Sequence, residues 1–330
     1  MGEIRKDYLL DRWVIISENR KFRPQLEKKI EEKGPKNSKD CVFCPGNEGM
    51  CQGAVIEKPS GKNWKIRAVE NRYPAVTKNI GFEENFERLI NKKTSYGSHY
   101  LIIDVPQHNL HPGFYDKDQW KLWFETIKDI FNKEAADENI QYILAFKNHG
   151  IEAGASQPHP HSQIISLPAV PLLINEEMSA ADDYYTFEGK CIFCEIIKME
   201  SEFKKRVVFE NEHVIAFCPY APLWPFEVWI FPKEHNPSIQ MPRKSEDEIL
   251  AALGIVLKTY YKVLDDPPFN FYFHTAYLRM RDHVAQKYHF HIEINPRLEK
   301  DAGFELGAGM NITTISPEDA AKILRENLEK

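Results

Sequence analysis

Apolar residues recur every three or four positions in two stretches of the chain. Trp120, Trp123, Phe124, Ile127, Ile130 and Phe131 follow Asp118, and Ile249, Leu250, Leu253, Val256, Leu257 and Tyr260 follow Ser245. The spacing predicts two amphipathic helices, the second opened by a capping box of Ser245 and Glu248. Elsewhere the apolar positions form short runs rich in β-branched and aromatic residues, such as YILAF at 142–146 and FNFYF at 269–273. These runs predict strands, as do LIIDV before His108 and VWIF before His235. Ser316 followed by Pro317 and acidic residues marks the start of a C-terminal helix. Residues 25–40 and 176–190 are charged, polar or small and read as connecting loops. Short strands with few helices between them favour an antiparallel sheet in an α+β fold.

The same order of features occurs twice. The first half runs from Cys41-Val-Phe-Cys44 through LIIDVPQH, ending at His108, and a helical stretch to PHPHSQII around His159 and His161. The second runs from Cys191-Ile-Phe-Cys194 through VWIFPKEH, ending at His235, and a helical stretch to YHFHIEI around His289 and His291. Each copy is a β-rich unit with a central helix, which divides the chain into residues 1–175 and 176–330.

Composition narrows the function. The chain has 330 residues, 42% hydrophobic and 28% charged, enough for a large folded core. A net charge of −6 gives no field for gripping nucleic acid, although a small phosphorylated ligand needs only a few local cations. The N-terminal MGEIRKDYLLDRW lacks a signal-peptide core and no run reaches membrane-spanning length, so a cytoplasmic protein without a membrane partner is expected. In that setting two C-x-x-C pairs point to metal binding ahead of disulfides or redox chemistry.

Two thiolates three residues apart chelate one ion, and two imidazoles complete a tetrahedron. The first copy offers Cys41, Cys44, His108 and one histidine of the 159/161 pair. The second offers Cys191, Cys194, His235 and one of the 289/291 pair. Zinc suits such closed S/N sites. Placing both histidines of H-x-H on the metal is sterically allowed, since residues i and i+2 of a strand share a face. Using P-x-H as the third ligand instead consumes only His159 and releases His161. A free imidazole with its other nitrogen held as a donor is a good nucleophile toward phosphorus. Gly154 permits close backbone approach to phosphate oxygens, and Ser156, Ser162 and Gln163 are neutral donors. Anchoring His159 would preorganise His161 two residues on.

The H-P-H-x-Q segment, the upstream C-x-x-C and the second, degenerate copy resemble the galactose-1-phosphate uridylyltransferase family of the histidine triad superfamily. So do DRWVIISENRKFRP, CVFCPGNE and WPFEVWIFPKEH, so the resemblance covers nearly the whole chain. It implies two tandem histidine-triad-like units, the first catalytic and the second structural and hexose-contacting. It also implies ping-pong transfer from UDP-glucose to galactose 1-phosphate through a uridylyl-histidine at His161. His159 would be a zinc ligand with Cys41, Cys44 and His108. Arg20 and Arg23 would hold the diphosphate, and Asn71, Asn148, Ser156 and Gln163 would contact nucleotide and phosphate. No catalytic metal is required, and a homodimer is expected from the family. Where superfamily hydrolases carry a third histidine this chain has Gln163, which stabilises an intermediate by hydrogen bonding without shuttling a proton to water.

In the second copy Glu293 stands at that position, and its charge would repel a diphosphate. Cys191, Cys194, His235 and His289 then make a second zinc site. Glu177, His274, His289 and His291 resemble an iron set of some relatives, and the two arrangements compete for His289. The intact C-x-x-C favours zinc. Arg72, where the family carries an acidic residue, does not specify uracil as the base, and the small residues at 307–309 are shared with a sister branch, ADP-glucose phosphorylase, which is the alternative. A non-catalytic, zinc-stabilised nucleotide-binding protein is the alternative of another class. Cys51 and Cys218 read as small packed side chains, and His149, His213 and His283 as hydrogen-bonded or surface histidines.

Overall fold

The computed structural model describes residues 2–19, 38–279 and 286–328. In chain order the elements are β1 (Glu3–Lys6), β2 (Trp13–Ile16), β3 (Ala54–Lys58), β4 (Ile66–Glu70), β5 (Glu84–Glu87), β6 (Ile90–Lys93), β7 (Ser98–Ile103), α1 (Lys117–Ala135), β8 (Tyr142–His149), β9 (His161–Leu167), α2 (Leu172–Glu188) and α3 (Ile192–Phe203). They continue with β10 (Val207–Glu210), β11 (Val214–Phe217), β12 (Val228–Pro232), α4 (Arg243–Val263), β13 (Phe269–His274), β14 (His291–Pro296), α5 (Gly303–Ala308), β15 (Ile312–Thr313) and α6 (Pro317–Glu326).

Ten strands form one antiparallel sheet in the order β10-β11-β12-β14-β13-β8-β9-β7-β4-β3. Read inward from either edge, the two halves have the same connectivity. β3, β4, β7, β9 and β8 correspond to β10, β11, β12, β14 and β13, and α1 corresponds to α4. The halves meet at the β8–β13 pair, where Asn148 faces Asn270 and Phe146 faces Tyr272. The repeat read from the cysteines and histidines is therefore a repeat of the fold, in the α+β class expected.

Side-chain alternation assigns each sheet face a role. Ile102, Ile143, Ala145, Ile164, Phe271, Phe273, Ile230 and Ile292 point to the face covered by α1 and α4, where they pack with Trp123, Phe124, Ile127, Leu253 and Leu257. The opposite face carries His161 and Gln163 in the first half. In the second half it is covered by α2 and α3, whose Ile174, Met178, Ala181, Phe193, Ile196 and Ile197 pack on Phe217, Trp229 and Phe231. Among the described residues no helix is long and apolar enough to cross a membrane.

Local signals account for the starts of two helices. Asp116 caps α1 by accepting from the Gln119 amide at 2.7 Å, and Ser316 caps α6 with Pro317 at its first position. Two expectations are corrected. Helix α4 begins at Arg243 after Pro242, so the Ser245–Glu248 capping box does not form; Ser245 is buried and Glu248 accepts from Asn211 Nδ2 at 2.7 Å. The stretch 176–190 is largely helix α2, not a loop. Its inward residues Ile174, Glu177, Met178 and Ala181 follow helical spacing, but one of them is a glutamate, which broke the apolar pattern. The other expected loop, 25–40, lies outside the described residues except for a short 3-10 turn at Ser38–Asp40.

Candidate active site

Strand β9 places His161 and Gln163 on one face and Ser162 on the other. Ser162 is buried against α1, taking a hydrogen bond from Trp123 Nε1 at 3.0 Å and donating to Asp104 Oδ2 at 3.2 Å. It is therefore not a donor toward a phosphate, which corrects the sequence expectation.

His159 lies just before β9 and is fully buried. Its Nε2–H donates to the Val105 carbonyl at 2.8 Å, which leaves the Nδ1 lone pair facing Cys41 Sγ at 3.6 Å and Cys44 Sγ at 3.5 Å. His108 Nδ1 lies 3.2 Å from Cys44 Sγ. The four ligating atoms all fall within 4.8 Å of one another. A tetrahedral ion with bonds of about 2.0–2.3 Å has ligand–ligand edges of about 3.3–3.8 Å, so the cluster fits one metal of that size. Burial, together with the neighbouring His108 and His161, outweighs the Val105 hydrogen bond and holds His159 down at about 4, the neutral form a metal requires.

The second copy repeats this arrangement. His289 Nε2–H donates to the Pro232 carbonyl at 2.8 Å, and its Nδ1 lies 3.5 Å from Cys194 Sγ; His235 Nδ1 is 3.4 Å from the same sulfur. Cys191, Cys194, His235 and His289 again bring their ligating atoms within 4.8 Å. His289 thus belongs to the cysteine cluster. This is the favoured of the two arrangements; in the competing one its place beside Glu177, His274 and His291 is taken by Glu293, and those four form a separate buried cluster. There Glu177 Oε1 is 3.1 Å from His274 Nδ1, and Glu293 Oε1 is 3.5 Å from His291 Nε2.

His161 Nδ1 lies 2.9 Å from the His159 carbonyl, which can only accept, so Nδ1 carries the proton and Nε2 has the free lone pair. Burial lowers the pKa of the ring, and the nearby Lys147 charge lowers it further. Lys147 was not singled out from the sequence. Its ammonium sits behind the strand, 2.6 Å from Asp104 Oδ2 and 2.9 Å from the His161 carbonyl, with both side chains 1% exposed. Asp104 also accepts from Trp123 Nε1 at 3.1 Å and Tyr115 OH at 3.2 Å.

Gln163 is half-buried two residues along the same face, its Oε1 2.9 Å from His99 Nε2. Asn71, at the end of β4, packs on His99, and its Oδ1 accepts from the Tyr73 amide at 2.9 Å. Asn148 accepts from Asn270 Nδ2 at 2.9 Å, and Gly154, at φ +87°, turns the chain close to Asn148. Ser156 is exposed on the loop leading to His159. Arg20, Arg23 and His283 lie outside the described residues. His99 was also missed, because a lone histidine in SHYLII has no local signal; only strand pairing brings it to Gln163.

Of the residues read as packed or surface side chains, His149 brings a ring nitrogen within 4.8 Å of ligating atoms of His111 and Asp266. Cys51 Sγ–H donates to the Val42 carbonyl at 2.8 Å, and Cys218 is 1% exposed in the core. His149 stacks on Phe269 at 4.7 Å and pairs with Asp266 at 2.8 Å. His213 lies 3.5 Å from Glu212. The segment with small residues at 307–309 includes the short exposed helix α5, which presents Phe304 and Leu306 to solvent.

Comparison with known proteins shows the family of the chain. The family models for galactose-1-phosphate uridyl transferase match twice, the N-terminal domain over residues 2–171 and the C-terminal domain over 177–329. The chain is 34% identical to ADP-glucose phosphorylase of Arabidopsis thaliana, over 98% of this chain and 92% of that protein. It is 31% identical to galactose-1-phosphate uridylyltransferase of Thermotoga maritima, over 99% and 98%. A crystal structure of the Arabidopsis phosphorylase with bound ADP-glucose superposes with a TM-score of 0.86 at 32% identity, covering 99% of this chain and 98% of that one. A uridylyltransferase structure does so with a TM-score of 0.77 at 30% identity, covering 99% and 98%. The chain belongs to the galactose-1-phosphate uridylyltransferase family of nucleotidyltransferases.

Proposed function

We propose that the chain transfers a nucleotidyl group through a covalent intermediate on His161, acting as a galactose-1-phosphate uridylyltransferase. The observation that carries this reading is the fixed tautomer of His161, protonated at Nδ1 and free at Nε2, beside Gln163. In the first step Nε2 attacks the α-phosphorus of UDP-glucose. The P–N bond forms, the bond from α-phosphorus to the bridging oxygen breaks, and glucose 1-phosphate leaves. In the second step a phosphate oxygen of galactose 1-phosphate attacks the same phosphorus and the P–N bond breaks, releasing UDP-galactose. Nδ1–H donates to the His159 carbonyl throughout, which stabilises the ring when it carries the nucleotidyl group.

Gln163, Ser156, Asn71, Asn148 and the turn at Gly154 line the donor site in this reading, with Arg20 and Arg23 on the diphosphate. Zinc is the ion proposed for the cluster of Cys41, Cys44, His108 and His159 and for that of Cys191, Cys194, His235 and His289. When bound it fixes the strand ends and takes no part in the transfer. Residues 1–175 form the catalytic unit and 176–330 the structural, hexose-contacting unit of a cytoplasmic homodimer. The relation to the Arabidopsis phosphorylase, with Arg72 and the small residues at 307–309, favours a second reading, adenylyl transfer from ADP-glucose to phosphate.

Intact-protein mass after brief incubation with UDP-glucose or ADP-glucose, without acceptor, tests both. A uridylyl increment that vanishes in His161→Ala is expected, an adenylyl increment selects the second reading, and no increment from either refutes the covalent mechanism.

A further inference from the structure

His99 stands on β7, across from Ile165 of β9, and its neighbour on the same face, Leu101, stands across from Gln163. The diagonal contact brings His99 Nε2 to 2.9 Å from Gln163 Oε1. On the other side of the ring, the backbone N–H of Ala75 points at His99 Nδ1 from 3.3 Å. A backbone amide can only donate, so Nδ1 is the unprotonated nitrogen and Nε2 carries the proton of the neutral ring. The Asn71 amide nitrogen lies 3.2 Å from Nε2 and 3.4 Å from Nδ1, a position over the ring face and not in its plane. Burial disfavours the charged form of His99.

A glutamine amide has two faces, and only one helps an anionic phosphate. With Nε2–H of His99 donating to Oε1, the Gln163 NH2 group is turned the other way. We propose that His99 is a positioning residue for transfer, fixing the Gln163 amide so that its NH2 group is presented to the nucleotide phosphate at His161. Its effect on transfer rests on the function proposed above, whereas the tautomer rests on the contacts of Ala75 and Gln163 alone. The chain of donors runs from the Ala75 backbone through the imidazole to Gln163, so the 71–75 segment and the reacting phosphate are coupled through one ring.

The test is a double-mutant cycle read as the single-turnover rate of covalent adduct formation, with nucleotide affinity measured separately. His99→Leu removes the donor and is expected to slow adduct formation about tenfold with metal content and affinity unchanged. In a Gln163→Leu background the same change is expected to cost less than about twofold, since the amide it orients is gone. His99→Gln, which restores an N–H near the Nε2 position, is expected to recover most of the rate. An equal tenfold loss in both backgrounds, or no recovery with glutamine, overturns the proposal. Nitrogen-15 imidazole spectra of the wild-type protein provide an independent readout. An Nε2–H tautomer for His99 is required, and an Nδ1–H tautomer overturns the assignment whatever the enzyme transfers. Absence of any adduct on the wild-type protein would instead refute the function, leaving the spectra to decide the tautomer.

Discussion

Lys147→Met would remove the cation of a fully buried ion pair directly behind the nucleophile. The ammonium is 2.6 Å from Asp104 and 2.9 Å from the His161 carbonyl. Removing one member of such a pair ordinarily costs about 3–5 kcal/mol, because the other charge is left uncompensated. Here Asp104 keeps Trp123, Ser162 and Tyr115 as donors at 3.1–3.2 Å, which places the expected loss at the lower end, about 3 kcal/mol. Adding Asp104→Asn removes the stranded charge while keeping an oxygen for those donors, and should return about 2 kcal/mol. Urea unfolding of the metal-loaded single and double variants measures both values. The pH profile of adduct formation gives a second readout. Burial and the Lys147 charge both lower the His161 pKa, so the ring stays neutral below its ordinary value. Without the ammonium that pKa rises, and the acid limb of the profile moves to higher pH. A single variant costing under about 1 kcal/mol, or a double variant no more stable than the single, would refute the assignment of a coupled pair.

Metal analysis separates the two histidines of the first H-x-H: His161→Ala should keep its metal and lose the adduct, whereas His159→Ala should lose the first-cluster ion. Equal metal loss in both would sink the division of roles. In chelator-stripped protein His159 is held at about 4 against an ordinary 6.5, so the folded state binds its proton less readily than the unfolded state. Stability should therefore fall as pH drops from 6.5 through 4, by about 3 kcal/mol from this group, and His159→Gln should remove that slope in denaturation curves. Ser162→Ala should lower stability by about 1 kcal/mol and leave the adduct rate within about threefold, because its hydroxyl faces Trp123 and Asp104. A hundredfold loss of rate would return Ser162 to the phosphate site.

The two central helices and the repeat were legible because each is a pattern of residue types at fixed spacing. Helix α2 was not, since Glu177 occupies an inward position. It is tolerated there because His274 lies 3.1 Å away and Tyr288 donates to its other oxygen at 2.5 Å, a partnership no local window contains. Both cysteine-histidine clusters could be assembled from spacing because their ligands come in local pairs and single strand ends. The partners of His161 could not. Lys147 on β8, Asp104 just beyond β7 and His99 on β7 meet β9 only through the sheet register, which pairs Leu101 with Gln163 and Lys147 with Ser162. Reading such contacts requires knowing which strands are neighbours, and loop-length rules do not supply that.

The two copies share one device for fixing an imidazole. In each, the first histidine gives its Nε2–H to a strand-end carbonyl, Val105 or Pro232, and turns Nδ1 to a cysteine pair. Its own carbonyl then fixes the second histidine, at 2.9 Å for His161 and 3.0 Å for His291. The tautomer of the second ring is thus set by the cluster that holds the first, and it is the same in both. What differs is the far nitrogen. His291 Nε2 lies against Glu293, and its ring stacks on Phe231 at 4.8 Å beneath α2 and α3. Burial alone would push Glu293 up, but His274, His291 and Arg12 hold it ionised, so any phosphate there would meet a buried anion. His161 instead has Gln163 two residues on, and its ring packs at 5.4 Å on Phe43, which lies in no helix among the described residues. Replacing Glu293 by glutamine would remove the charge but not the helices, so that change alone should not make His291 a second nucleophile. Competence depends on what meets the far nitrogen as well as on the imidazole.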